Sequence, residues 1–197
     1  GRIIMLYDES SDTQSLIKDF SKGAFVWYNF RPDSSILYIY NQNADEAVLE
    51  LLESKGRVAV CSAEKLLSKQ YGCEAYDYIV DIIEESRESL RLLKLCHALL
   101  KKDGRMLIGA ENRYAVRYMC GDRDPYTNHN FDGIENYRRL SDADWDSIAG
   151  RCYSMSELKL MLSQAGFEND KFYSVMPSLQ ETQLVYAEGY EPVEELA

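Results

Sequence analysis

The turn between the first apolar run of this chain and its first amphipathic helix contains no glycine. The run is Ile36-Leu37-Tyr38-Ile39-Tyr40, the helix pattern is Val48, Leu49, Leu51 and Leu52, and the turn is Asn41-Gln42-Asn43-Ala44-Asp45. A first strand, a tight turn and a helix N-terminus form the place where α/β proteins hold nucleotide-like cofactors. Glycine is normally required there, because any Cβ keeps the backbone away from the ligand. Paired cysteines are lacking too. The five thiols (Cys61, Cys73, Cys96, Cys120, Cys152) are odd in number and widely spaced, with no C-x-x-C. That excludes a disulfide framework and predicts reduced thiols in a cytoplasmic protein. Cys120, His129 and Cys152 match no zinc spacing, so no metal is expected. No apolar run approaches the roughly 20 residues of a membrane helix, and no secretory leader pattern opens the chain. Positive charge is scarce: 22 Lys and Arg against 33 Asp and Glu give a net charge of -11. Such a surface repels nucleic acid.

What is present is an ordinary globular composition, 46% apolar and 28% charged over 197 residues, and it fits one large domain. Residues 1–30 read as an entry segment, with a strand near Arg2 to Tyr7, a short helix near Asp12 to Phe20 and an aromatic stretch from Ala24 to Phe30. From residue 31 onward, strands and helices alternate. The spacing predicts a helix from about Ala44 to Lys55, N-capped by Asn43 with Glu46 at capping-box distance. A second strand follows at Arg57 to Cys61, a helix at Ser62 to Gln70, and an apolar strand at Tyr76 to Ile83. Only Tyr71 to Ala75 separates the last two, so a third strand in the usual place is short or absent. A helix from Ser86 to Lys101 is predicted to end on Lys101-Lys102 and Gly104, before a strand at Met106 to Ala110. A polar, aromatic connection, residues 111–150, is longer than most structureless loops and is expected to be functional. Ser154 with Glu157 caps a last helix. Strands near Lys171 to Val175 and Gln183 to Ala187 are too close for a crossover helix and should pair antiparallel. The fold class is therefore α/β, Rossmann-like, with a mostly parallel sheet ending in an antiparallel hairpin.

That topology looks like the class I methyltransferases, which use S-adenosylmethionine. The stretch from about Tyr76 to Pro192 resembles a bacterial methyltransferase-like group tied to lipopolysaccharide and other cell-envelope glycan synthesis. The resemblance is carried by Leu99-Leu100-Lys101-Lys102-Asp103-Gly104-Arg105-Met106-Leu107-Ile108, then Glu111-Asn112-Arg113, Phe131-Asp132-Gly133-Ile134-Glu135-Asn136-Tyr137 and Ser154-Met155-Ser156-Glu157-Leu158. The first segment is generic to such folds, whereas E-N-R joined to F-D-G-I-E is more specific. The resemblance implies a cofactor site formed by Asn41, Asn43, Cys61 and Asp81, and an acceptor or catalytic site formed by Asn112, Arg113, Tyr126, Asp132 and Glu135.

Each position also has a purely structural reading. Asn43 and Asp45 serve helix capping as well as they serve a ligand, and acids there would repel the carboxylate of a methionine moiety. Cys61-Ser62 stands where such folds place an acid on the ribose hydroxyls, and cysteine is a weak partner. Asp81, with Glu84 and Glu85, suits the N-terminus of the helix at Ser86. Arg113 can fork onto a carboxylate or phosphate, or pin the long connection by pairing with Asp132 or Glu135. Tyr126 stands where the resemblance implies a histidine, which removes the best neutral-pH base. Fifteen tyrosines more often fill core than stack a ligand. The expectation is a degenerate methyltransferase-like domain in which S-adenosylmethionine binding is doubtful. It is read as a recognition or scaffold module beside other domains of a larger glycan-biosynthesis polypeptide or complex. The alternatives are an active methyltransferase on a sugar hydroxyl and a nucleotide-sugar-binding domain.

Overall fold

The computed structural model describes residues 2–6, 28–41, 43–68, 75–83, 88–176 and 184–188. The strands are β1 (Arg2–Leu6), β2 (Ser34–Tyr40), β3 (Gly56–Ser62), β4 (Tyr76–Ile83), β5 (Leu100–Ala110), β6 (Asp170–Met176) and β7 (Leu184–Ala187). The helices are α1 (Glu46–Glu53), α2 (Ala63–Ser68), α3 (Ser89–Leu99), α4 (Val116–Met119), α5 (Asp142–Ser147) and α6 (Met155–Gln164). One sheet runs in the order β3-β2-β4-β5-β1-β6-β7. Every pairing is parallel except β6 with β7, which is antiparallel as the short connection requires. The strand of the entry segment lies inside this sheet, between β5 and β6. The expected helix at 12–20, the aromatics at 24–27, the separation at 71–74 and Glu84 to Ser86 lie outside the described residues.

Side-chain alternation gives the sheet two apolar faces. Leu37, Ile39, Ile79, Met106 and Ile108 pack under α2, α3 and α6. Ile36, Tyr38, Tyr78, Val80 and Leu107 pack under α1, Tyr28 and Phe30. This double burial explains the unbroken apolar runs of β2 and β4. The N-terminal ends of β2 and β4 are tied by polar groups. Ser35 donates its N–H (2.9 Å) and its hydroxyl (2.8 Å) to Asp77 Oδ2, and Lys101 Nζ donates to the same oxygen at 2.9 Å. The Ser35 amide, with Lys101, holds the Asp77 carboxyl down at about 2.

Two boundaries differ from the sequence reading. The cap of α1 is Asp45, not Asn43, since Asp45 Oδ1 accepts from the N–H groups of Ala47 (2.9 Å) and Val48 (3.1 Å). Helix α3 ends at Leu99, and Leu100 is already extended, so Lys101, Lys102 and Gly104 belong to β5 and do not finish a helix. There Leu100 pairs with Tyr76 of β4, and Lys101 Nζ bonds Asp77 on the same strand. The α6 cap is as expected: Ser154 and Glu157 form a complete capping box. Gly166, at φ +90°, follows the helix.

Gly56 begins β3 opposite Ser34, where an added Cβ would lie 2.2 Å from the Ser34 carbonyl oxygen. Neither backbone can yield without loosening the β2–β3 pairing. Gly56→Ala is expected to cost about 2–3 kcal/mol, in the upper range for overpacking, read as a lower denaturant midpoint. An unchanged midpoint would contradict this register.

Candidate functional site

The C-terminal edge of the sheet is where such folds bind ligands, and the sequence candidates from the two halves of the chain behave differently there. In the first half, Asp45 uses its side chain on the α1 amides and gives its own N–H to Tyr38 Oη at 3.1 Å. Asn43 is exposed, and Asn41 sits half-buried at the end of β2. Gln42 is outside the described residues. Cys61 pairs in register with Ile39, and Ile39 with Asp81, which pairs in turn with Ile108. These four residues form one row across the sheet, on the face covered by α3. Cys61 is 8% exposed, within that core. Ser62, at the strand end, accepts the Lys65 N–H on its hydroxyl.

Asp81 does not serve the α3 N-terminus. It is 1% exposed, in the middle of β4, and both carboxylate oxygens lack a hydrogen-bond partner. Burial alone raises its pKa to about 7, and its nearness helps to hold the buried Cys96 thiol well above the ordinary range.

In the second half, the candidate residues bond chiefly to one another. Asn112 forms a parallel bridge with Tyr153, and its Oδ1 accepts the Tyr114 N–H at 3.0 Å. Arg113 pairs with neither Asp132 nor Glu135. Its Nη1 donates to Asn136 Oδ1 (2.5 Å) and Glu157 Oε1 (3.2 Å), and its Nη2 donates to Tyr114 Oη (2.6 Å). Asp132 is forked by Arg139 at 3.1 and 2.8 Å, and that bond lowers its pKa. Glu135 pairs with Arg138 at the surface. Tyr126 packs against the cluster of Ala115, Tyr118 and Cys152, and its N–H donates to Asp124 Oδ1 at 2.9 Å. Glu111 is held by Tyr118 and Arg117.

The residues that organise this region went unassigned in the sequence reading. Arg151 donates through Nη2 to Asn136 Oδ1 (2.8 Å) and Glu157 Oε1 (2.7 Å). Tyr137 is 1% exposed at φ +56°, and its hydroxyl accepts from Cys152 N–H (2.7 Å) and donates to Asp124 Oδ2 (2.7 Å). Asn136 and Tyr137 stood in the quoted F-D-G-I-E-N-Y segment, which was the available signal. Nothing in the sequence pointed to Arg151. Burial works to raise the Glu157 pKa, but hydrogen bonds from Ser154 and the two guanidiniums prevail and hold it low. Among the described residues, no group of three or more His, Cys, Asp or Glu side chains could hold a metal ion. No described helix is long and apolar enough to cross a membrane.

Asp81 makes a testable pH dependence. Its folded pKa lies above its unfolded value of 3.8, so the native state retains a proton that the unfolded chain releases between those two pH values. Stability then falls as pH rises through that window and levels off above about 7, a loss on the order of 4 kcal/mol. Asp81→Asn, which mimics the neutral acid, is expected to match the wild type only below about pH 3.8 and to exceed it at pH 8 in urea denaturation. Parallel pH profiles for the two proteins would rule out a buried, proton-holding Asp81.

Comparisons with known proteins bear on the fold. No protein-family model matches the chain, and no curated protein matches it. Solved structures do. A "putative methyltransferase" of Bacillus halodurans C-125 shares 15% identity at a TM-score of 0.52, over 77% of this chain and 68% of that one. A "putative O-methyltransferase" of Nostoc punctiforme PCC 73102 shares 15% identity at a TM-score of 0.46. That match covers 82% of this chain, which spans 53% of that protein's length. Taken with the parallel sheet and its terminal antiparallel pair, the first of these likenesses gives the chain a Rossmann-like class I methyltransferase fold.

Proposed function

We propose that the chain is a methyltransferase-like domain whose cofactor half is degenerate, and that it acts as a recognition or scaffold module in the synthesis of cell-envelope glycans. The observation that carries the first part is the occupation of the α1 N-terminus by the Asp45 side chain. Asp45 places a carboxylate on the two amides that a carboxylate-bearing cofactor would need, and Glu46 adds a second acid in the same turn. A ligand carboxylate there would meet like charge and find its donors occupied. The described residues therefore do not fit S-adenosylmethionine. Cys61 faces the core rather than a ribose, and Asp81 is enclosed beneath α3. The glycan assignment is supported by the resemblance of the E-N-R and F-D-G-I-E segments. Under this reading the domain works in the cytoplasm beside other domains of a larger glycan-biosynthesis polypeptide or complex. It engages no nucleic acid, consistent with its net charge of -11, and does not insert into a membrane.

Calorimetric titration with S-adenosylmethionine and S-adenosylhomocysteine is expected to show no binding at or below roughly micromolar concentration, the range of about -8 kcal/mol. Micromolar affinity for either compound would overturn the degenerate assignment.

A further inference from the structure

Around Arg113 and Arg151 the hydrogen-bond ledger is one-sided. Both guanidiniums converge on the same two oxygens, Asn136 Oδ1 and Glu157 Oε1. The other Glu157 oxygen is taken by the N–H and hydroxyl of Ser154. Each of these three oxygens thus already holds two donors. Donors remain: Arg113 Nε is buried without a partner. Arg151 Nη1, the Asn136 amide nitrogen and the hydroxyl proton of Tyr114 have no acceptor among the described residues. Two positive charges face one carboxylate. Asp124, which bonds the Tyr137 hydroxyl, also accepts from the amides of Tyr126 and Thr127.

The group is both held in place and open. The Arg151 guanidinium lies 5.1 Å from the Tyr137 ring, 5.8 Å from Trp145 and 5.4 Å from Tyr153, which restricts its motion. Its side chain is 23% exposed, Tyr114 is 42% exposed, and Asn136 lies at the surface. The bridge from Asn112 to Tyr153 fixes the group just beyond the C-terminal end of β5. A pre-formed set of donors lacking both acceptors and negative charge matches a group that brings several oxygens and a charge.

We infer that Arg151, Arg113, Asn136 and Tyr114 form a receptor for an oxyanion, the phosphate or carboxylate of a small ligand, at the C-terminal edge of the sheet. The inference is independent of the cofactor question, since none of these residues belongs to the turn at Asn41 to Asp45.

Titration with inorganic pyrophosphate and with glucuronate at low ionic strength tests it and separates the two sources of the oxyanion. At least one is expected to bind with a dissociation constant of roughly millimolar or tighter. Arg151→Gln should weaken that binding by about tenfold or more, the worth of one charged hydrogen bond. Arg138→Gln, at an exposed ion pair outside the group, should leave it unchanged. Asn136→Asp keeps the accepting oxygen and adds the missing charge. It is expected to abolish anion binding while holding or raising the melting temperature, so it remains informative if Arg151→Gln fails to fold. No binding of either anion would overturn the inference. So would equal affinity in Asn136→Asp, or a fall in its melting temperature.

Discussion

The second half of the molecule depends on one carboxylate. Glu157 Oε2 closes the capping box at the start of α6, and Oε1 receives Arg113 and Arg151. Helix α6 is anchored in the core through Leu158 and Leu162. Arg113 follows β5 by three residues, and Arg151 stands at the far end of the long connection. A single side chain therefore joins sheet, helix and both ends of a stretch of about forty residues that has little regular structure of its own. Such a connection would ordinarily be costly to order. Here the cost is offset by partly buried charged hydrogen bonds and by the stacking of Arg151 on three rings, beside the apolar burial of Ala115, Tyr118 and Tyr137.

The same accounting of donors separates the two halves of the sheet's C-terminal edge. Helix N-termini are the usual source of anion-binding amides in α/β folds. Asp45 closes α1, Ser62 accepts from the start of α2, and Ser141 and Ser154 close α5 and α6 with full capping boxes. Each of these side chains accepts at least one first-turn amide of its helix. Among the described residues, side-chain donors without an acceptor, in guanidinium, carboxamide and phenol groups, gather on the long connection.

The fold was largely legible in the sequence because its signals were local. The apolar runs of β2 and β4, the S-x-x-E before α6 and the short link between β6 and β7 each decide their own structure. Errors fell where a distant partner intervened. Lys101 reads as a helix-terminal cation, yet it lies in β5 with its Nζ on Asp77 of another strand. Asn43 and Asp45 are both good caps by type, and only the path of the turn, with the Asp45 N–H bound to Tyr38, selects the second. The site was less legible for the same reason. Arg113 stands out in the sequence for its forked donors, yet its acceptors, Asn136 and Glu157, lie 23 and 44 residues away. Asp81 reads as an acid serving the N-terminus of the helix at Ser86, because sequence alone does not show that α3 crosses above it.

The choice of cation in the long connection argues that orientation, and not charge alone, is what the region requires. Residues 111 to 153 contain Arg113, Arg117, Arg123, Arg138, Arg139 and Arg151 but no lysine, although the chain uses ten lysines elsewhere. Lysine would supply the same charge to the surface pair with Glu135. It could not span Asn136 and Glu157 while stacking against a ring, as Arg113 does over Tyr114 and Arg151 does over Tyr137. Nor could it leave further N–H groups directed elsewhere once its bonds were made. The planar fork that holds the connection together is the same feature that leaves donors unspent, so the network that orders this part of the chain also makes it able to bind.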